Sequence, residues 1–95
     1  MSARFPLGQC VATPGALAAL ADNSTSPLVY LARHAAGDWG ELDAHDRRAN
    51  ELAIDPDPEL CARILSAYRL ADQTKIYVIT EADRSSTCIL LPSEY

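Results

Sequence analysis

The stretch IYVITEADRSSTCILLPSEY, Ile76 to Tyr95, decides the fold. Val78 and Ile79 in its first half and Ile89, Leu90 and Leu91 in its second lie in apolar runs, and Glu81, Asp83, Arg84, Ser85, Ser86 and Thr87 crowd the connection between them. Short β-branched runs bounded by polar turn formers read as two strands joined by a hairpin. The strands span about Lys75 to Glu81 and Thr87 to Leu91, with the five-residue connection 82–86 at hairpin length. Upstream, Ile64, Ser66, Tyr68 and Leu70 alternate with Arg63, Leu65, Ala67 and Arg69, so Arg63 to Leu70 reads as a further strand, joined to the next by Ala71 to Thr74. Three antiparallel strands therefore form a C-terminal meander over about 63–91.

The N-terminal half reads as helical, over about 14–54. Thr13-Pro14 and Ser26-Pro27 are both helix-start signals, a hydroxyl N-cap followed by proline at the first helical position. The first helix runs to about Asp22. The second covers Leu28 to Ala36, with Leu28, Leu31 and Ala32 on one face, and stops at Gly37, suited to a left-handed cap. Asp43 with Asp46 three positions on marks the start of a third helix, Ala44 to about Ile54, with Leu42, Ala49, Leu52 and Ala53 as inward contacts. Asp55-Pro56-Asp57-Pro58 is a stop and a linker, since each proline lacks a donor and restricts the residue before it. If Gln9 to Ala12 also pairs, the single domain 1–95 is an α+β fold, a three- or four-stranded antiparallel sheet with about three helices on one face.

Composition excludes several classes of function. Thirteen acidic against eight basic side chains give a net charge of -5, which disfavours direct binding to nucleic acid or to an anionic membrane. The longest uncharged stretch free of proline is far too short to span a bilayer, and MSARFPLGQC has no signal-like apolar core, so the expected location is the cytoplasm. Cys10, Cys61 and Cys88 are odd in number and lack CxxC spacing; free thiols are expected, with Cys10 and Cys88 as small buried hydrophobes. No cofactor-binding motif is present and no metal is expected, because His34 and His45 form neither HxxxH nor HExxH spacing. His34, at the end of the second helix, suits the dipole as a partly protonated imidazole.

Three constellations remain. Eight of the thirteen acids lie between Asp38 and Glu59, a surface fit to dock on a basic groove of a partner or an ordinary solvated helix face. The turn Gly37-Asp38-Trp39-Gly40 carries the only tryptophan, either an exposed anchor or a cap on the core. The cluster Glu81, Asp83, Arg84 and Ser85 is either a self-satisfied hairpin or a site for acid/base work or phosphate binding. As an internal lock, Arg84 would reach Asp38 or Asp43 and tie the meander to the GDWG turn. As a polar pocket, Asp38, Tyr68, Glu81 and Arg84 would converge, which requires Tyr68 and Glu81 to face the same side of the sheet.

The strings FPLGQCVATPGAL at 5–17, LARHAAGDWGELDAHDRRANE at 31–51, RILSAY, IYVITEADRSST and ILLPSEY together closely resemble a family of small bacterial proteins of plasmids, integrative elements and phage-like islands, often labelled plasmid-related proteins. The resemblance covers nearly the whole chain, departing at 52–62 and at Tyr77, where tryptophan is expected. Its motif positions fall on His34, Gly37, Asp38, Trp39, Gly40, Asp43, Asp46, Asn50, Tyr68, Thr80, Glu81, Asp83, Arg84, Ser85 and Pro92. It implies no activity. What it implies is a mobile-element accessory, similar in size and charge to anti-CRISPR and anti-restriction inhibitors, binding a host or mobile-element protein such as a nucleic-acid-processing complex. The binding candidates on that reading are His34, Asp38, Trp39, Asp43, Asp46, Asn50, Tyr68, Glu81, Asp83, Arg84 and Ser85.

Overall fold

The computed structural model describes residues 3–54 and 62–95. The Asp55–Pro58 stop, Cys61 and the acids Asp55, Asp57 and Glu59 lie outside them. The elements follow in the order β1 (Gln9–Ala12), α1 (Pro14–Asp22), α2 (Pro27–Ala35), α3 (Ala44–Ala53), β2 (Ile64–Arg69), β3 (Lys75–Thr80) and β4 (Ser86–Leu90), with a final 3-10 turn at Pro92–Glu94. The helix starts behave as their chemistry requires. Thr13, Ser26 and Asp43 accept from the backbone N–H of Ala16, Leu28 and Asp46, and proline opens α1 and α2.

Gly37 ends α2 at φ +88°, with its N–H on the His34 carbonyl and that of Asp38 on Arg33, the paired bonds of a left-handed cap.

The sheet order is β1-β4-β3-β2. β2, β3 and β4 form the expected antiparallel meander, but β1 pairs parallel with β4, so the sheet is mixed and not wholly antiparallel. The helices account for the difference. Parallel strands cannot be joined by a tight turn, and α1 to α3 supply the crossover that takes the chain from one sheet edge to the other.

One face of the sheet carries Ile64, Ser66, Tyr68, Ile76, Val78, Thr80, Thr87 and Ile89, all buried. Over it, Ala16 and Leu20 of α1 join Tyr68, Leu70, Ile76, Val78 and Ile89 in the main core, and Phe5, Trp39 and Ala53 gather around Ile64 in a second cluster. Two helices sit differently from their apolar patterns. In α2 Leu28 is 72% exposed while His34 is fully buried, because hydrogen-bond partners on the sheet draw the imidazole inward. In α3 Ala49 and Leu52 face outward, and the buried residues are Asn50 and Ala53. Here a polar side chain with backbone partners displaces an apolar contact.

Those partners are the outer edge of β2. Asn50 Nδ2 donates to the Leu65 carbonyl at 2.6 Å and its Oδ1 accepts the Leu65 N–H at 3.1 Å, so one amide replaces a neighbouring strand at that position. Two residues on, the Ala67 N–H donates to the Trp39 carbonyl at 3.1 Å and the Ala67 carbonyl accepts from Glu41 at 2.7 Å. Gly40 makes that approach possible. It sits at φ +72°, and a Cβ there would lie 2.0 Å from the Ala67 oxygen. The β2 edge is thus sealed, as edges open to aggregation must be.

Candidate functional site

His34 is the centre of a buried polar group with Ser66, Thr80 and Thr87. Its Nδ1 lies 2.5 Å from Ser66 Oγ and its Nε2 2.9 Å from Thr80 Oγ1, which in turn lies 2.7 Å from Thr87 Oγ1. Thr87 Oγ1 is 2.7 Å from the Leu7 carbonyl. A carbonyl only accepts, so Thr87 donates to Leu7, Thr80 donates to Thr87, and the Nε2–H of His34 donates to Thr80. Nδ1 is then left to accept from Ser66. The ring is a neutral Nε2–H tautomer, and burial pushes its pKa down to about 4.

The dipole at the end of α2 does not hold His34 protonated, because desolvation outweighs it. Phe5 and Trp39 close the ring off, each edge-on at centroid distances of 5.2 and 5.9 Å. Sequence reasoning missed Ser66 and Thr80 as its partners, and Thr87 and Leu7 beyond them, although Ser66, Thr80 and Thr87 occupy inward-phase strand positions where apolar residues belong.

Asp38, Trp39 and Tyr68 form a second internal group. Arg33 Nε donates to Asp38 Oδ2 at 2.7 Å, the Gly40 N–H donates to Oδ1 at 3.2 Å, and Tyr68 Oη donates to the Asp38 carbonyl at 2.6 Å. The Arg33 guanidinium holds the Asp38 carboxyl below the usual range and also lies 4.5 Å from the centroid of the Tyr68 ring. Burial pushes the Tyr68 phenol up to about 12. Trp39 is 5% exposed, so its ring caps the core and offers no surface anchor. Its indole N–H is outside hydrogen-bonding geometry to any acceptor among the described residues, though near enough to help lower the Glu51 carboxyl after the larger effect of Arg4.

Arg84 is an internal lock, with partners other than Asp38 or Asp43. Its Nη2 donates to the Ala53 carbonyl at 2.6 Å, and its Nη1 lies 2.8 to 3.1 Å from the carbonyls of Ala62, Glu81 and Ala82. Ala53 closes α3, so the guanidinium sits on one of the unfilled carbonyls and the negative end of the helix dipole. Asp83 Oδ1 accepts the Ser85 N–H at 2.9 Å, its carboxyl is held below the usual range by the Ser85 hydroxyl first and by this N–H second, and the Ser85 carbonyl accepts from Gln9 where β1 joins β4.

The four-residue pocket does not form. Tyr68 shares the helix-covered face with Ile76, while Glu81 follows inward-facing Thr80 and turns to the opposite face, where it pairs with Arg63 at 2.9 Å. Strand alternation puts the two on opposite sides of the sheet.

The acidic segment is less charged in three dimensions than along the chain. Asp38 pairs with Arg33, Glu41 with Arg69 and Glu51 with Arg4. Asp43, His45 and Asp46 form the one described group of three metal-ligand side chains, their atoms within 4.8 Å, but all are exposed and Asp43 is engaged in capping α3. Both described cysteines are free thiols, as expected, but neither is a buried hydrophobe. Cys10 is exposed, and Cys88 is half-buried on the outer face, its thiol pushed up by burial and by Glu94 and Glu81, so it is not activated.

The outer face of the sheet has a different character. Leu65, Ile79, Cys88 and Val11 lie in one row across all four strands, and Ala67, Tyr77 and Leu90 in the next. Among the described residues the C-terminal turn and Tyr95 lie against it, with the Tyr95 ring edge-on to Tyr77 at 6.1 Å. A concavity of about 240 Å³ opens there over Ile79, Cys88 and Leu90, rimmed by Arg63, Glu81 and Glu94. No helix among the described residues is long and apolar enough to cross a membrane. Compared with known proteins, the chain matches no protein-family model, no curated protein and no solved structure.

Proposed function

We propose that this protein is a noncatalytic protein-binding module, an accessory of a mobile element that binds and blocks a host or mobile-element protein. One observation supports this above the others. The side chains with chemistry to offer, His34, Asp38, Asn50, Tyr68 and Arg84, spend their hydrogen bonds on the protein's own backbone and side chains. The outer sheet face, in contrast, has an apolar centre, with half-buried Leu65, Tyr77 and Cys88 around the buried Ile79 and Leu90, inside a perimeter of Arg63, Arg69, Lys75, Glu81 and Glu94. An apolar centre with a charged rim is the anatomy of a protein interface. The link to host defence rests on the resemblance to mobile-element accessories and on the acidic balance.

Copurification from a host lysate at low and high salt tests the reading, comparing the wild type with Tyr77→Glu on the outer face and Asp46→Lys on α3. A partner kept by Asp46→Lys and lost by Tyr77→Glu is the expected result. Recovery of no partner at any salt, together with turnover of a nucleotide or an ester, overturns it.

A further inference from the structure

We infer that the β1 edge is a seam between two copies of this chain, joined antiparallel across a two-fold axis into an eight-stranded sheet. The two sheet edges are treated in opposite ways. Around β2, Asn50 and the Trp39–Glu41 segment take up the outward backbone groups. Among the described residues β1 has no such cover: three of its four residues are exposed and the fourth half-buried. The Gln9 and Thr13 N–H groups bond to β4, so by alternation the N–H and C=O of Cys10 and Ala12 point away from the sheet. Nothing on β1 guards it either, since it carries no lysine, proline or bulge.

Charge favours a second copy at this edge above others on the molecule. Two chains of net charge -5 repel, so a self-contact needs neutral ground. From Phe5 to Ala32 the sequence holds a single charged residue, Asp22, and that span contains β1, α1 and most of α2. The area required points the same way. A stable interface takes about 800 Å² from each partner, a sizeable share of the 5497 Å² accessible here and more than a four-residue strand provides. The surplus lies beside β1. Val11 and Leu17 are 45 and 47% exposed, and an apolar groove of about 240 Å³ runs between β1 and the helices, lined by Val11, Ala12, Leu17, Pro27 and Leu31.

With Val11 on the two-fold axis, Cys10 pairs with Ala12 of the other copy in two equivalent hydrogen-bonded pairs. Val11 meets its own counterpart as the close, non-hydrogen-bonded pair. The outer row Leu65, Ile79, Cys88 and Val11 then runs on into the same row of the second copy. On the helical side, Leu17 of each chain lies next to the seam, where it covers the groove.

Sedimentation and light scattering across a wide concentration range read the outcome on the purified chain. The expected mass is that of two 10.3 kDa chains. Val11→Lys, which sets two ammonium groups against each other, and Leu17→Lys should each weaken association at least about tenfold, while Leu52→Lys on α3 should not. Circular dichroism checks that each variant is folded. Amide exchange gives a second reading: the Cys10 and Ala12 amides should slow as concentration rises. A monomer at every concentration overturns the inference, as does a dimer that Val11→Lys and Leu17→Lys leave intact. Cys10 and Ala12 amides that slow only when a foreign protein is added also overturn it, and assign the edge to that protein's strand.

Discussion

Replacing Arg84 by alanine removes a side chain that ties the β3–β4 turn to the C-terminus of α3. Two of its bonds, to Ala53 and Ala62, cross to other parts of the chain, and the other two, to Glu81 and Ala82, hold the turn itself. A hydrogen bond to a charged group contributes about 1.5–3 kcal/mol net, and bonds that share one guanidinium do not add fully. Counting the crossing pair as the main loss, Arg84→Ala should cost about 2–4 kcal/mol. With a urea slope near ~1.3 kcal/mol per molar for a chain of this size, the midpoint should fall by roughly 1.5–3 M. The backbone provides an internal control. Arg84 sits at φ +60°, where a side chain costs about 1 kcal/mol relative to glycine, so Arg84→Gly should recover about that much of the alanine loss. Arg84→Lys keeps the charge but not the planar fork, and should fall between alanine and wild type. Amide exchange in the last turn of α3 should quicken in step. An unchanged midpoint with unchanged exchange at Asn50–Ile54 would refute the lock and return the cluster to a solvated turn.

Other expectations follow from the same geometry. His34 is neutral when folded, with a pKa of about 4 against an ordinary 6.5, so only the unfolded chain takes up its proton between those values. Stability should therefore be level with respect to this group above pH 6.5 and fall by about 3 kcal/mol as pH drops toward 4; urea titrations of wild type and His34→Gln should differ by that slope, and parallel profiles would count against a buried neutral imidazole. Asn50→Ala strands both backbone groups of Leu65 and should cost about 2–3 kcal/mol, and Asn50→Asp should be no better, because a carboxylate cannot donate to the Leu65 carbonyl; melting temperatures equal to wild type would remove the edge clamp. Gly40→Ala should lose at least about 2 kcal/mol from the clash with Ala67, and faster exchange confined to Glu41 and Ala67 would locate the damage.

Element positions were legible because they rest on local rules: hydroxyl or carboxylate caps before Pro14, Pro27 and Ala44, glycine after α2, and alternation in β2 to β4. What the sequence hid was direction and partnership. A four-residue strand such as Gln9–Ala12 pairs equally well in either sense, and its parallel pairing with β4 follows from where three helices carry the chain. Helix faces were misread where a polar side chain lies inside. A hydrophobicity pattern turns Leu28 and Leu52 inward, yet His34 and Asn50 occupy those faces because hydroxyls and an open strand edge await them across the chain. Arg84 shows the same limit. Its charge invited an acidic partner, and the structure gives it carbonyls, which belong to every residue and leave no mark in a sequence.

The unequal edges bear on how such a small domain works. Sealing β2 takes a buried asparagine, a left-handed glycine and a tryptophan carbonyl, all of which constrain what residues 37–50 can otherwise do. An edge that must be kept from pairing would carry at least a lysine or a proline, the least specific protection available. β1 carries neither, and it lies in the longest nearly neutral span of an acidic chain. Exposed Val11 lies on it and exposed Leu17 beside it, while β2 ends in the Arg69–Glu41 pair. A strand kept free of charge while the rest of the surface repels its own kind is selected to pair. Dimerisation there would set two outer faces side by side, doubling the apolar ground available to a partner and allowing two weak contacts to act as one.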